Sequence, residues 1–560
     1  MPDLVQQTFR ELDQAKASRS VWNVHWQEVS DLMLPAMAEF IMVWPAGAKR
    51  TSKIIESTAM WALGRFASGV HQALSGEGES WFVLETEDRK VNEDYQVRLW
   101  LEDTERRMMS VFSDPSRGYH TCQRQVYLQM GAFGTGPKYI GELPNGGGPY
   151  FQGVYLGQVY FLVDDRYRVI GVIREYKCSA MQIATQFQGF SLPDIVRKAL
   201  ETNPAGDTTT TQNTFTLIHS VRPRPELDRT GIGSQSFPLG SVYVLKEAKA
   251  VMGRPSGYLE LPYVGGRWDR APTEIYGRSP GMAALPDVKM VQEFQRSWIK
   301  AIHKIVDPPW IVSDEGTLRP RINSAPGKTT YAMRDAAGKW SAEYMQPPVQ
   351  IDAADATKRE VLSIVQKHFY LDAFQTPGPV SEKGAVTHMS ATEAAIHKRE
   401  QLQVLGPMIS QMREEDLVPT IRRTFKIMMR HGMLLPPPAA LVQHLMRGGR
   451  LLPKYVSPLA VAQQSQVVDT IAQAFGYLQP MLQLDPSVAD AINVEGSVQE
   501  LLRALRYPMK GLATDEEIAA KVQRRQAQQD QQLNAQATLQ QGQAANQVAQ
   551  AVATARGASA

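Results

Sequence analysis

From Asp3 to Leu34, apolar residues recur at intervals of three and four: Leu4, Phe9, Leu12, Val21, Trp22, Trp26, Val29 and Leu32. That spacing predicts one or two amphipathic helices, which Pro35 ends. Further helical patterns run from about Ile54 to Leu74 and from Asp94 to Phe112, with a strand-like run, Trp81–Glu85, between them. Residues 119–180 change character. Gly131–Pro137 and Asn145–Pro149 are turn clusters. Short β-rich runs follow at Tyr155–Val163, Arg168–Tyr176, Asn213–Val221 and Ser241–Lys246, and 181–201 reads as an intervening helix. These pieces predict a mixed α/β region over 1–275.

After Pro280 the pattern turns helical. Leu285, Val288, Val291, Phe294, Trp298, Ile302 and Ile305 share one face, and Lys289, Glu293, Arg296, Lys300 and Lys304 share another. A helix over 281–306 would be about 39 Å long at ~1.5 Å per residue, and Asp307-Pro308-Pro309 stops it. A Pro/Gly-rich excursion over 307–350 carries strand-like pieces at Trp310–Val312 and Thr329–Met333. A second helix, Ala353 to Phe374, returns the chain, and a Gly/Pro loop runs from Thr376 to Gly384. A long helical pattern then spans Ala391 to His431. Pro407 and Pro419 should kink it, since each removes an intrahelical hydrogen bond. Pro436-Pro437-Pro438 marks a boundary, with more helices expected to about Leu505. The tail, 514–560, is rich in Gln and Ala, with helix propensity but no face able to fill a core. Helix within an assembly and disorder both fit it.

The 560 residues allow three or four domains at roughly 150 each. Hydrophobic residues are 43% and charged residues 21%, the balance of an ordinary globular chain, and the net charge of +3 gives no whole-molecule field for nucleic acid. Any DNA contact must come from local rings or patches. The two cysteines, Cys122 and Cys178, exclude a disulfide framework and a Cys-based zinc site, and fit a reducing cytosol. No apolar run is long enough to span a bilayer. The N-terminus lacks the charged and apolar blocks of a signal peptide.

Three motifs invite a catalytic reading and fail it. Gly277-Arg278-Ser279-Pro280-Gly281 matches G-x-S-x-G, but the residue after the serine must offer an N–H to an oxyanion, and Pro280 has none. A helix start with Pro near its first position fits better. Pro326-Gly327-Lys328-Thr329 lacks the P-loop's first glycine, because Ile322 stands there. His303, His368, His388 and His397 show no metal-ligand spacing. Asp164-Asp165 reads as turn chemistry. No cofactor is implied.

Several segments together carry a resemblance to a known family. They are Ile55-Glu56-Ser57-Thr58-Ala59 with Phe66-Ala67-Ser68-Gly69 and Trp81-Phe82, then Phe133-Gly134-Thr135-Gly136. Next come Tyr276-Gly277-Arg278-Ser279-Pro280 with Ala284 to Lys289, then Met389 to Glu393 leading to Arg399-Glu400, Leu405-Gly406-Pro407 and Glu414 to Pro419. Val456-Ser457-Pro458-Leu459 is last. They resemble the head-to-tail connector (portal) family of T7-like short-tailed bacteriophages and cover most of residues 1–475 in that family's order. The apolar run Ile41–Pro45 and the Gln/Ala tail match nothing in it.

The resemblance implies an α+β chain in a ring-forming portal fold: a mixed α/β wing (1–275), long antiparallel stem helices (276–306 and 351–375) and a small α/β clip (307–350). A channel loop (376–390), a long kinked wing helix (391–435), a helical crown (436–513) and a barrel-like or disordered tail (514–560) complete it. It implies a non-enzymatic ring, usually a dodecamer, at one capsid vertex of the virion, assembled in the host cytoplasm with major capsid and scaffolding proteins. Double-stranded DNA passes through it without sequence recognition, and the terminase and then tail or adaptor proteins dock on the clip. Because DNA must slide, a near-neutral subunit suits the conduit better than a phosphate clamp.

Within that plan Lys289, Arg296, Lys300 and Lys304 are candidates for channel-side or intersubunit charge. Glu382, Lys383 and His388 are candidates for the channel loop, and Arg319, Arg321, Lys328, Arg334 and Lys339 for docking on the clip. Each has a plainer reading as a solvated charge. The stem pair has too few large apolar residues to stand alone, so copies around an axis would have to bury the Trp298 face. Two other classes stay open: a different helical capsid-assembly protein, which would form no ring, and a hydrolase built on Ser279, which would lose turnover on Ser279→Ala.

Overall fold

The computed structural model describes residues 2–45, 47–78, 80–143, 146–202, 214–225, 233–306, 310–312, 342–344, 351–374, 406–456 and 515–557, with Gly338, Thr470, Gln473, Ala474, Gly476 and Leu502. The chain divides into two compact units. One comprises Met1–Phe82, Arg107–Leu434 and Tyr455–Leu459; the other comprises Val83–Arg106, Leu435–Lys454 and Ala460–Ala560.

The elements begin with α1 (Pro2–Met33), α2 (Thr58–Ser75), β1 (Phe82–Thr86), α3 (Arg89–Glu93), α4 (Tyr95–Ser113) and α5 (Tyr119–Phe133). There follow β2 (Thr135–Leu143), β3 (Gly148–Gly153), β4 (Val159–Val163), β5 (Val169–Ser179), α6 (Ala180–Gln186) and α7 (Asp194–Thr202). Then come β6 (Thr214–Pro223), β7 (Leu239–Leu245), β8 (Ala250–Tyr258), β9 (Tyr263–Arg267) and α8 (Pro280–Val306). After these are β10 (Trp310–Val312), β11 (Ala342–Tyr344), α9 (Ile351–His368) and α10 (Leu371–Phe374). Helices Gly406–Met412, Val418–Arg430 and Ala439–Met446, strand β12 (Leu451–Tyr455) and helix Asp515–Gly557 complete the described chain.

In the first unit, β4-β5-β6-β7-β8 form an antiparallel five-stranded sheet. The two-residue alternation of a strand divides its side chains between two faces. On one, Ile173, Ile218 and Val244 pack against Val5 and Leu12 of α1. On the other, Leu217, Leu245 and Met252 pack against Ile183, Phe187 and Val196 around α6 and α7. Burial of each such aliphatic side chain contributes roughly 1.5–3 kcal/mol. Farther along, α1 buries Arg19, whose guanidinium bonds the carbonyls of Leu156, Gly157 and Val159 and lies 3.8 Å over the Tyr160 ring. A second, three-stranded sheet has the order β3-β2-β9.

The sequence reading and the structure part in several places. Residues 119–133 form a helix rather than part of a turn-rich stretch. Gly131 sits inside it because a Cβ there would come within 2.7 Å of Leu63 and Phe66 on α2. The turn shrinks to Gly134, at φ +76°, whose N–H closes the helix on Met130 O. The single helix expected over 181–201 is two, α6 and α7, broken where Gly189 takes φ +85°. The helix expected over Ala353–Phe374 ends at His368, and Tyr370 at φ +53° separates it from α10. Strand β12 lies in a stretch expected to be helical. Asp164 does make the expected turn, accepting the N–H groups of Arg166 and Arg168 at 3.0 and 2.7 Å.

In the second unit β1 pairs with β12, and Lys454 lies 3.4 Å from Glu85 across them. The Trp100 indole N–H donates to Leu435 O at 2.8 Å. The Gln/Ala tail is one 43-residue helix, Asp515–Gly557. Its described side chains are all exposed, including Leu533, Leu539 and Val548. No helix among the described residues is long and apolar enough to cross a membrane.

Candidate functional site

The root of the helical pair α8 and α9 is assembled from two short glycine segments distant in sequence. Gly134 and Gly277 press backbone to backbone: a Cβ on Gly134 would lie 2.1 Å from Gly277 O, and one on Gly277 would lie 2.3 Å from Gly134 O. Neither position admits a side chain. Around this crossing, Gly277 N–H donates to Thr135 Oγ1 at 2.9 Å and Trp268 N–H to Gly134 O at 2.8 Å. Tyr276 is buried among Trp22, Trp26 and Phe161, with ring centroids 5.0–5.9 Å apart. Ser279 follows, buried, at the start of α8. Its hydroxyl donates to Ala132 O at 2.8 Å and accepts the Met282 N–H at 2.9 Å, a helix cap with Pro280 in the first turn.

This arrangement does not leave the Ser279 hydroxyl free as a nucleophile. The Ser279 proton is committed to a carbonyl, and one lone pair to the helix. A cavity of about 360 Å³ beside it is also lined by His368, but that ring pairs with Asp287, 3.0 Å away. The same contact fixes the direction of the pair, since it joins the beginning of α8 to the end of α9. At the far ends β10 and β11 pair antiparallel, Trp310 opposite Tyr344. The four elements therefore form a hairpin about 40 Å along α8, taking its 27 residues at ~1.5 Å each.

The hairpin is buried unevenly. Met282, Ala284, Leu285, Val288 and Val291 are buried at its root, and Gln292 fastens it by accepting the N–H groups of Ile55 and Glu56 at 2.8 and 3.0 Å. From Glu293 outward, no described residue of α8 is buried. Phe294 and Trp298 stack at 6.4 Å but stay half-exposed, while Ile299, Ile302 and Val306 are 39%, 38% and 79% exposed.

Behind the root, the long helix makes one turn of π-helix, Arg413–Leu417, before resuming at Val418. This is how the chain accommodates Pro419, and the expected kink takes this form. The wider turn places Asp416 inside the unit. Lys138 Nζ lies 2.8 Å from Asp416 Oδ1 with both side chains 0% exposed, and Gln123 bridges them at 2.6 and 2.7 Å. Next to it, Glu415 receives both arms of the Arg267 guanidinium at 2.7 and 2.6 Å. One bulge thus pins the long helix to β2, β9 and α5.

Residues 6–512 match the family model described as "Bacteriophage head to tail connecting protein". The chain belongs to that family. The connector is 28% identical over 504 residues to the "Probable portal protein" of Bordetella phage BPP-1, covering 88% of this chain and 86% of that protein. It is 26% identical over 501 residues to the "Portal protein" of Salmonella phage epsilon15, with 88% and 85% covered. Among solved structures, a chain titled "Neck of native GTA particle computed with C12 symmetry" aligns over 74% of this chain and 86% of its own. At 12% identity and a TM-score of 0.34, that likeness bears no weight.

The connector's expected charge sites fall in different places. Lys289 pairs with Glu28 of α1 in the same chain, and Arg296 with Glu293 at 2.9 Å on its own helix. Lys300 is exposed. The Lys304 side chain, the loop candidates Glu382, Lys383 and His388, and the clip candidates Arg319, Arg321, Lys328, Arg334 and Lys339 lie outside the described residues, as does all of 391–405. Sequence reasoning did not find Lys138, Asp416, Arg267 or Glu415. One signal was available: Asp416 occupies the stripe of Met412, Leu417, Ile421 and Met428, where an unpaired carboxylate would be costly.

Proposed function

We propose that this chain is a portal subunit that closes with copies of itself into a ring at the head-to-tail junction of a phage virion, leaving an axial channel for DNA. The outer half of α8 carries the reading. Phe294, Trp298, Ile299, Ile302 and Val306 form a partly uncovered apolar side on a hairpin that has no second layer among the described residues. Repetition around an axis would cover it without leaving an open end. On this reading the two helices are the stem, the segment between them is the clip where the terminase and later the tail proteins dock, and the wing contacts capsid and scaffolding proteins. Assembly takes place in the host cytoplasm, with a dodecamer as the closed state. The protein catalyses no reaction, and Ser279 serves the stem as a helix cap. Sedimentation of the wild type and of Ile302→Asp tests the reading. Ile302 is partly exposed, so the variant should fold yet lose closed assemblies at concentrations where the wild type forms them. Identical assembly of the two would contradict it.

A further inference from the structure

Between the two sheets of the first unit lies a polar cavity of about 460 Å³, away from the stem root. Register places Arg174, His219 and Tyr243 side by side on neighbouring strands β5, β6 and β7, all facing the three-stranded sheet. Tyr139, Tyr150 and Tyr263 close the space from that sheet, and Tyr176 and Lys177 from β5. Arg174 is the cation that the strand alternation turns into the cavity, and no aspartate or glutamate is among its lining residues. Arg174 makes no ion pair among the described residues. Its neighbours are neutral: the Tyr176 ring at 4.3 Å, Gln158 Oε1 at 3.4 Å and the Tyr263 hydroxyl. Its Nε is buried without any hydrogen-bond partner. A guanidinium taken out of water and left with open donors is unfavourable unless an acceptor arrives.

The other groups fit the same acceptor. His219 adds no charge: its two nitrogens meet Tyr263 OH at 2.7 Å and Ser241 Oγ at 3.0 Å. Burial, then Arg174, pulls its pKa down to about 3. Burial pushes the Tyr176 phenol up to about 12, so it stays protonated and able to donate. Four glutamine amides at the rim supply further donors. We propose that this cavity binds an oxyanion of the phosphate class, held by the Arg174 guanidinium with the Tyr176 phenol beside it. The volume leaves room for an organic body on the anion, and the tyrosine rings give that body a surface.

Calorimetric titration of the full chain with inorganic phosphate, and separately with phenyl phosphate, tests this. Saturable binding is expected, weakened at least tenfold by Arg174→Gln and about threefold by Tyr176→Phe, and unchanged in Lys454→Gln, a surface lysine of the other unit. Tighter binding of phenyl phosphate would assign the site to an ester, and equal binding to the free ion; both support an oxyanion site. Absence of saturable binding by either probe overturns the proposal, as does equal affinity in wild type, Arg174→Gln and Tyr176→Phe. Tyr176→Phe keeps the ring under Arg174 and removes only the hydroxyl, so that variant decides the matter even where Arg174→Gln misfolds.

Discussion

Replacing Lys138 by methionine removes the one cation among the described residues that pairs with Asp416 in the interior. The carboxylate would keep only the Gln123 amide, 2.6 Å away, in a place where both ionic side chains are fully buried. Breaking a buried pair from one side costs about 3–5 kcal/mol, most of it the desolvation of the charge left behind. At a few degrees per kcal/mol, the apparent Tm should fall by roughly 5–10 °C. Removing the second charge should reverse much of the loss. In Lys138→Met/Asp416→Leu no charge is stranded, and the remaining deficit is the Gln123 amide without its partners, about 1–2 kcal/mol. Scanning calorimetry of wild type, both single variants and the double variant, at one protein concentration so that assembly shifts all four alike, gives the coupling directly. A Lys138→Met loss below about 1 kcal/mol, or a double variant no more stable than the single, would refute the reasoning.

Gly134→Ala and Gly277→Ala should each cost more than about 3 kcal/mol, since each puts a methyl group inside 2.5 Å of backbone that cannot yield; soluble yield and Tm check this. Ser279→Ala should cost about 1–2 kcal/mol through the lost cap and the orphaned Ala132 carbonyl, with esterase activity absent before and after. Burial, then His120, holds His71 down to about 4, and burial, then Arg174, holds His219 down to about 3. The unfolded chain takes up these protons near its ordinary value of 6.5 while the fold refuses them, so stability is full above that pH and declines below it. The slope approaches about 1.4 kcal/mol per pH unit per histidine, down to the folded values. His219→Gln, compared with wild type by denaturation across pH 7 to 4, should lose about one proton's worth of that slope.

How much of this could be read from the chain depends on whether its cause is local. The bounds of α8 were legible because Ser279-Pro280 and Asp307-Pro308-Pro309 are start and stop signals carried by the residues themselves. The strands β4 to β7 were legible through their alternation. Helix α5 was hidden by Gly131, which reads as a turn residue until α2 is seen pressing on it. Strand β9 was hidden in the same way. Gly265 and Gly266 look like a loop, yet a Cβ on either would strike Phe161 or Met130 at 2.3 and 2.2 Å. Close approach, rather than turning, placed those glycines. Nothing local links Lys138 to Asp416, and the pair emerges only once the π-turn rotates the acid inward. The glycines of Phe133–Gly136 and Tyr276–Pro280 stood out singly in the sequence, but that they are two halves of one crossing is a tertiary fact.

Negative-stain imaging of the purified 560-residue chain shows whether it closes into a ring. Closed annuli of one uniform radial symmetry, with an axial hole, are the expected result. A stable, folded monomer that stays monomeric across concentration and ionic strength would contradict the account, because the outer half of α8 would then hold its shape without the neighbours it is argued to need.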